Sequence, residues 1–158
     1  RFIKPRLYFE QLLLDSAGKI PADLKVHVFG GHPDGPRIHT MIIADRFGDA
    51  RGDIYDEQWR RLDVRFGRYR PSDAAVPRPA NWSEIERVAT RLAEDFAYVR
   101  VDLYSTGDQV YFGELTFTPG AGRMRFVPES HEYFWGRMLS DSLEGFERMR
   151  RAGCASSR

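Results

Sequence analysis

Cysteine is almost missing from this sequence. Cys154 stands alone among 158 residues, so no internal disulfide can form and a reducing, cytoplasmic setting is expected. Long apolar runs are missing as well: nothing approaches the roughly 20 consecutive apolar residues that span a bilayer, and no signal peptide is visible. A surplus of either charge is also absent. With 24 basic and 23 acidic residues the formal charge is +1, which argues against an electrostatic grip on nucleic acid or anionic membrane. Repeats and low-complexity tracts are lacking. The histidines (His27, His32, His39 and His131) show no metal-ligand spacing, and Cys154 has no partner histidine in view. No serine sits in a G-x-S-x-G elbow. Nucleophilic catalysis and a structural zinc site therefore find no support.

What is present suits one domain with a sizeable core: 42% hydrophobic and 30% charged residues. The chain opens at Arg1 without a methionine and is expected to be a piece of a longer protein. Arg6 to Leu14 is an aromatic and apolar run around Glu10, which reads as a strand or a strand entering a hinge. A turn-rich break follows from Asp15 to Pro21. Leu24, Val26 and Val28 alternate with Lys25, His27 and Phe29, a strand that stops at the turn Gly30-Gly31. Arg37 to Asp45 predicts a second strand, so an antiparallel meander is expected. Residues 47–79 are irregular, with one short strand plausible around Arg61 to Phe66.

A helix is well punctuated next: Asn81 as N-cap, Glu84 three residues later as in a capping box, and Ile85, Val88, Ala89, Leu92 and Phe96 at helical spacing. It should end near Asp95. Trp59 and Trp82 are expected to fill the core or staple the helix start. Tyr98–Tyr104 and Gln109–Phe117 are the clearest strands, followed by the turn Thr118-Pro119-Gly120-Ala121-Gly122. One or two helices are expected from about Glu129 to Met149. The folded domain is placed at 1–151 and a disordered tail at 152–158.

The hairpin carries the chemistry. A strand alternates its side chains, so Arg100 and Asp102 share a face. A three-residue loop, Thr106 to Asp108, sets Arg100 opposite Glu114 and Asp102 diagonal to it, with Thr116 on the same side. A two-residue loop would separate the two acids unless a bulge corrected it. Two carboxylates, a hydroxyl and a guanidinium on one rigid face suit Mg²⁺, which takes one or two carboxylates plus substrate phosphates. The glycine-rich turn after Thr116 adds backbone N–H groups and room for a ligand. An exposed sheet face with ordinary cross-strand ion pairs would carry the same pattern, and spacing alone leaves both readings open.

The run Tyr98-Val99-Arg100-Val101-Asp102, then Phe112-Gly113-Glu114-Leu115-Thr116-Phe117-Thr118-Pro119-Gly120, resembles the closing motif of the ATP-grasp superfamily. It is most similar to the TupA-like branch, found among bacterial cell-surface polysaccharide and teichuronopeptide biosynthesis proteins. The similarity extends to Lys4-Pro5, Phe9 to Leu13, Ala22 to Val26, Ala44-Asp45-Arg46, Tyr55 with Trp59, and Pro79-Ala80-Asn81, nearly the whole chain.

The resemblance implies an α+β fold, an antiparallel sheet flanked by helices, as the C-terminal lobe of an ATP-dependent carboxylate–amine ligase working through an acyl phosphate. It implies ATP and Mg²⁺ as cofactors, with small or sugar-linked acid and amine substrates as partners. Asp102 and Glu114 resemble the magnesium ligands, and Thr116 stands where the superfamily has asparagine. Arg100 resembles the arginine that holds the substrate carboxylate or acyl phosphate. Glu10, with the backbone of Leu12 and Leu13, corresponds to the hinge that reads adenine. Asp23 corresponds to the ribose-binding acid, Lys25 to a residue facing the phosphates, and Arg46 to a further phosphate or substrate contact.

The family's first-lobe lysine and mobile glycine-rich loop are not recognisable before Glu10. An upstream lobe is therefore expected, with weak nucleotide binding and no catalysis by the piece alone. A nucleotide-binding module without turnover and a sugar-transferring enzyme of the same pathway are the alternatives.

Overall fold

The computed structural model describes residues 4–46 and 48–155, with side chains through Ala152. Five antiparallel strands form one sheet: β1 (Asp23–Phe29), β2 (Arg37–Ala44), β3 (Arg51–Tyr55), β5 (Tyr98–Ser105) and β6 (Val110–Thr116), in the order β3-β2-β1-β5-β6. A two-stranded ribbon pairs β4 (Arg65–Phe66) with β7 (Phe126–Val127), and the helices are α1 (Trp82–Ala93) and α2 (Ser130–Ala155). The fold class is α+β, as the pattern predicts. Among the described residues no helix is long and apolar enough to cross a membrane.

Alternation explains the two layers. Val26 and Val28 of β1 pair with Val101 and Val99 of β5 and, with Leu24, Ile42 and Leu103, face α1 through Trp82, Ile85, Ala89 and Ala93. Each fully buried aliphatic side chain contributes about 1.5–3 kcal/mol relative to exposure. The odd-numbered set of β1 points the other way. There Phe29, Met41, Ile43 and Ile54 pack against Val64, Phe66, Trp135 and Met138. The second face is therefore also covered along β2 and β3 and over the Phe29 end of β1, and this leaves polar side chains of β1, β5 and β6 along the rest.

Several sequence expectations need correction. Arg6 to Leu14 forms no strand: the segment is irregular, with Leu7 88% and Phe9 94% exposed. A strand needs a neighbour to satisfy its backbone, and no paired strand is formed there. Within the irregular stretch, β3 was not anticipated, while the strand sought at Arg61 to Phe66 shrinks to Arg65–Phe66. The polar look of β3 hides its burial, because Asp53 points to the α1 side and is neutralised by Arg61 at 3.0 Å and by the Ser72 N–H. Asn81 sits at the N-cap without capping; its Oδ1 accepts from Ser105 Oγ at 2.9 Å, and Glu84 pairs with Arg87 instead of closing a box. Helix α1 stops at Ala93, two residues early.

A single α2 replaces the possible pair and continues through Ala155, past the expected boundary at 151. Residues 156–158 of the expected tail lie outside the described residues.

Gly30 and Gly31 do more than end a strand. A Cβ on Gly31 would lie 1.9 Å from the Ser142 carbonyl oxygen, and one on Gly145 would lie 1.8 Å from the Gly31 oxygen. Helix α2 thus crosses the end of β1 backbone against backbone. Its buried stripe is Trp135, Met138, Ser142 and Gly145, at spacings of three and four. Ser142 Oγ accepts from the Gly31 N–H at 2.8 Å and donates to the Ala97 carbonyl at 2.6 Å, pinning the helix to both central strands.

Candidate functional site

The hairpin register is not the one the three-residue loop predicts. Ser105 pairs with Val110, so the loop spans four residues, and by itself this would put Asp102 opposite Gly113. An irregularity between Asp102 and Leu103 takes up one extra residue, and Asp102 ends directly opposite Glu114, with Arg100 opposite Thr116. Gly113 is the residue skipped, and a Cβ there would already press on the Asp102 carbonyl oxygen at 3.1 Å. The two acids still share a face. The bulge, not the loop length, puts them there.

Cross-strand pairing then builds three rows on the face opposite α1. The first is His39, His27, Arg100 and Thr116; the second is Met41, Lys25, Asp102 and Glu114; the third is Ile43, Asp23 and Tyr104. Opposite charges follow each other along β1, as Lys25 and Asp23, and along β5, as Arg100 and Asp102. Arg100 clamps Asp102 with both ends of its fork, Nε to Oδ1 at 2.6 Å and Nη2 to Oδ2 at 2.8 Å. The same Nη2 reaches Thr116 Oγ1 at 2.9 Å and Glu114 Oε1 at 3.2 Å, and Thr116 Oγ1 donates to Glu114 Oε1 at 2.9 Å. Lys25 Nζ bridges Asp102 Oδ2 at 2.7 Å and Asp23 Oδ2 at 2.8 Å, and Arg46 Nη1 completes the series at 3.2 Å from Asp23.

Arg100, Asp102, Lys25 and Asp23 are sheltered, with side chains 11%, 6%, 15% and 3% exposed, whereas Glu114 is 64% exposed. Three cations meet three carboxylates, so the network is formally neutral. Such sheltered ions persist only because each is paired.

Seven of the expected site residues (Arg100, Asp102, Glu114, Thr116, Lys25, Asp23 and Arg46) therefore meet in one continuous network. Glu10, Leu12 and Leu13 do not join it. They lie in the irregular leading segment, with Glu10 exposed and Leu12 64% exposed. His27 and Tyr98 belong to the site region and were not singled out by sequence, although period-two alternation from Lys25 and Arg100 points to both.

His27 Nδ1 lies 2.9 Å from Tyr98 Oη, and its ring meets Trp135 edge-on at 4.9 Å. Burial, followed by the charges of Arg100, His39 and Lys25, drives its pKa well below the usual imidazole value. Burial likewise raises the Tyr98 hydroxyl. His27 is thus neutral in the fold, while the unfolded chain protonates it as pH drops below about 6.5. Stability should be full above that pH and decline from about pH 6.5 downward. Urea midpoints measured from pH 7.5 to 5 should show this fall, and a His27→Phe protein should show a shallower one; equal slopes would contradict it.

The donor set fits Mg²⁺ held together with phosphate oxygens. Asp102 and Glu114 offer hard oxygens from a rigid strand pair, and Glu114 Oε2 has no partner among the described residues. No group of three or more His, Cys, Asp or Glu side chains able to hold a metal occurs among the described residues, so protein ligands alone would not complete a shell. Beyond Thr116 the chain turns through Gly120, Ala121 and Gly122, all left-handed at φ 58°, 55° and 69°. Ala121, the one non-glycine of the three, carries a strain of about 1–2 kcal/mol. This turn borders a cavity of about 680 Å³ whose wall includes His27, Tyr98, Phe117, Thr118 and Trp135.

Compared with known proteins, residues 1–140 match the family model described as TupA-like ATPgrasp. No curated protein and no solved structure matches the chain.

Proposed function

We propose that this chain, which belongs to the TupA-like ATPgrasp family, is the magnesium- and phosphate-binding lobe of an ATP-dependent carboxylate–amine ligase. The observation that carries the reading is the direct opposition of Asp102 and Glu114, with Arg100 bonded to both. Asp102 and Glu114 would hold Mg²⁺, which when bound supplies charge neutralisation on the transferring phosphoryl group.

Arg100, fixed by its bidentate grip on Asp102, keeps one edge of its guanidinium at Thr116 and Glu114, where it can meet an acyl oxygen. Lys25 shares the row of Asp102 and is placed to meet phosphate oxygens. Asp23 Oδ1 is buried and without a hydrogen-bond partner, a spare acceptor that fits a ribose hydroxyl. In the proposed reaction a carboxylate oxygen attacks the terminal phosphorus and ADP leaves. An amine nitrogen then attacks the acyl carbon, phosphate leaves, and the amine loses its proton. Positioning and electrostatics suffice, and the proposed reaction needs no covalent enzyme intermediate. The pathway that the motif resemblance suggests is bacterial cell-surface polysaccharide assembly, with acid and amine substrates drawn from it.

Neutrality of the network sets the test. Mg²⁺ alone meets Arg100 and Lys25, and ATP alone meets two carboxylates, so each should bind poorly without the other. Calorimetry on the 158-residue chain should give ATP an affinity about tenfold or more higher with Mg²⁺ than with EDTA. ADP and phosphate should appear when a first ATP-grasp lobe and a suitable acid and amine are added. Metal-independent ATP binding, or none under either condition, would refute the ligase reading. Mg²⁺-dependent binding that never leads to turnover, even with a first ATP-grasp lobe supplied, would favour the module without catalysis.

A further inference from the structure

We propose that the cavity beside Arg100 binds an ammonium group carried on an apolar body, and that this ligand is the amine substrate; the second half of the statement rests on the ligase reading above. The cavity lies where the substrates would have to meet. Tyr98 is two residues before Arg100 on the same face of β5, His27 is the cross-strand partner of Arg100, and Thr118 follows Thr116 around the end of β6. With a volume of about 680 Å³ it accommodates a ligand of roughly drug-like size.

Its walls specify the ligand's chemistry. Phe66, Phe96, Tyr98, Phe117, Phe126 and Trp135 surround it, and Phe117 and Leu139 remain 53% and 37% exposed within this monomer. Such walls favour an apolar body and attract a cation to the ring faces. Among the described residues the only acids lining it are Asp95 and Glu132, and no lysine or arginine lines it. That is notable in a chain with 24 basic residues. Glu132 accepts the Phe126 N–H at 3.2 Å, and neither acid has a salt-bridge partner among the described residues.

His27 brings no compensating charge, because it is held neutral. His27 Nε2, in a residue 99% buried, has no partner among the described residues and can accept from an ammonium when Nδ1 donates to Tyr98 Oη. The second cavity on the same face makes a contrast. Its Arg37 and Arg60 are closed by Glu57 at 3.1 Å and Asp56 at 2.7 Å, so it makes no demand for a charged ligand.

The test uses three probes of one shape: 2-phenylethylamine, protonated at pH 7, neutral 2-phenylethanol and anionic 3-phenylpropanoate. Titrations of the ¹⁵N-labelled 158-residue chain should shift the indole signal of Trp135, while those of Trp59 and Trp82, which belong to the α1 face, stay still. The ammonium probe should bind about tenfold more tightly than the alcohol, and the carboxylate should bind least. Asp95→Asn with Glu132→Gln should erase the preference and keep the alcohol's affinity. Equal affinity for amine and alcohol, or shifts that avoid Trp135, would overturn the inference.

An Asp102→Asn, Glu114→Gln protein separates the two readings. Retained amine selectivity after loss of Mg²⁺–ATP binding supports the ammonium site on its own terms. Loss of selectivity in a folded Asp95, Glu132 variant that still binds Mg²⁺–ATP is the result expected if both readings hold.

Discussion

Asp102→Ala should lower the unfolding free energy by about 3–5 kcal/mol, whereas Glu114→Gln should change it by less than about 1 kcal/mol. Both should cut Mg²⁺–ATP turnover by about a hundredfold or more. The difference follows from burial. Asp102 is 6% exposed and accepts from both arms of Arg100 and from Lys25, so its removal leaves two sheltered cations facing each other. Glu114 is 64% exposed, and water takes over what Arg100 and Thr116 lose.

On the proposed reading Asp102 is both a structural counter-ion and a metal ligand, while Glu114 is free to be a ligand alone. Paired measurements of denaturation and ATP turnover check the split. Equal stability losses would show that the grid is not organised around Asp102. Turnover unaffected in Glu114→Gln would show that the exposed carboxylate takes no part in the chemistry.

Gly31→Ala should be severely destabilising for a single added methyl. The added carbon would sit 1.9 Å from the Ser142 carbonyl oxygen, 2.7 Å from the Phe146 nitrogen and 2.8 Å from the Phe146 Cβ. Two of these are backbone atoms, which cannot rotate away, so β1 and α2 must separate. Overpacking of this kind costs about 1–3 kcal/mol or more. Separation would also strip Ser142 from the buried Gly31 N–H, adding about 1–3 kcal/mol for the orphaned donor.

Because α2 supplies Trp135, Leu139, Leu143 and Phe146 to the aromatic cavity, the variant should lose the cavity along with its stability. Hydrogen exchange resolved along α2 and the thermal midpoint check this. Gly145→Ala should reproduce the effect from the other side of the contact, and Ser142→Ala should show only the hydrogen-bond part. A Gly31→Ala protein with wild-type exchange in α2 would contradict the packing described.

The strands that matter were legible because their signals are local. Leu24 to Phe29 and Tyr98 to Tyr104 alternate apolar and polar residues, and alternation is a property of backbone geometry alone. It placed Arg100 with Asp102 on one face, whereas Lys25 and Asp23 were singled out only by the family resemblance. Helix α1 was readable from Ile85, Ala89 and their neighbours, though its cap was not. Asn81 has a partner in Ser105, 24 residues away, and a distant hydroxyl outcompeted the local box.

What sequence reading missed was also non-local. β3 carries a buried aspartate that makes sense only beside Arg61 and Ser72. The Arg6 to Leu14 run has strand-like residues but no strand to pair with. Ser142, Gly31 and Gly145 read as ordinary small residues until α2 is laid across the sheet.

By itself, then, the sequence determined the fold class, the family motif, and which side chains leave each strand on the same side, since residue identity and period-two geometry require no knowledge of the fold. Tertiary structure decided the rest. The bulge at Gly113 brought Asp102 against Glu114 in a register that loop length alone predicts wrongly. Pairing of β1 between β2 and β5 drew Lys25 and Asp23 into the network, and docking of α2 enclosed an acid-lined aromatic cavity next to Arg100. These outcomes depend on which strands become neighbours and how closely backbones approach, and such distances are settled by packing across the whole chain.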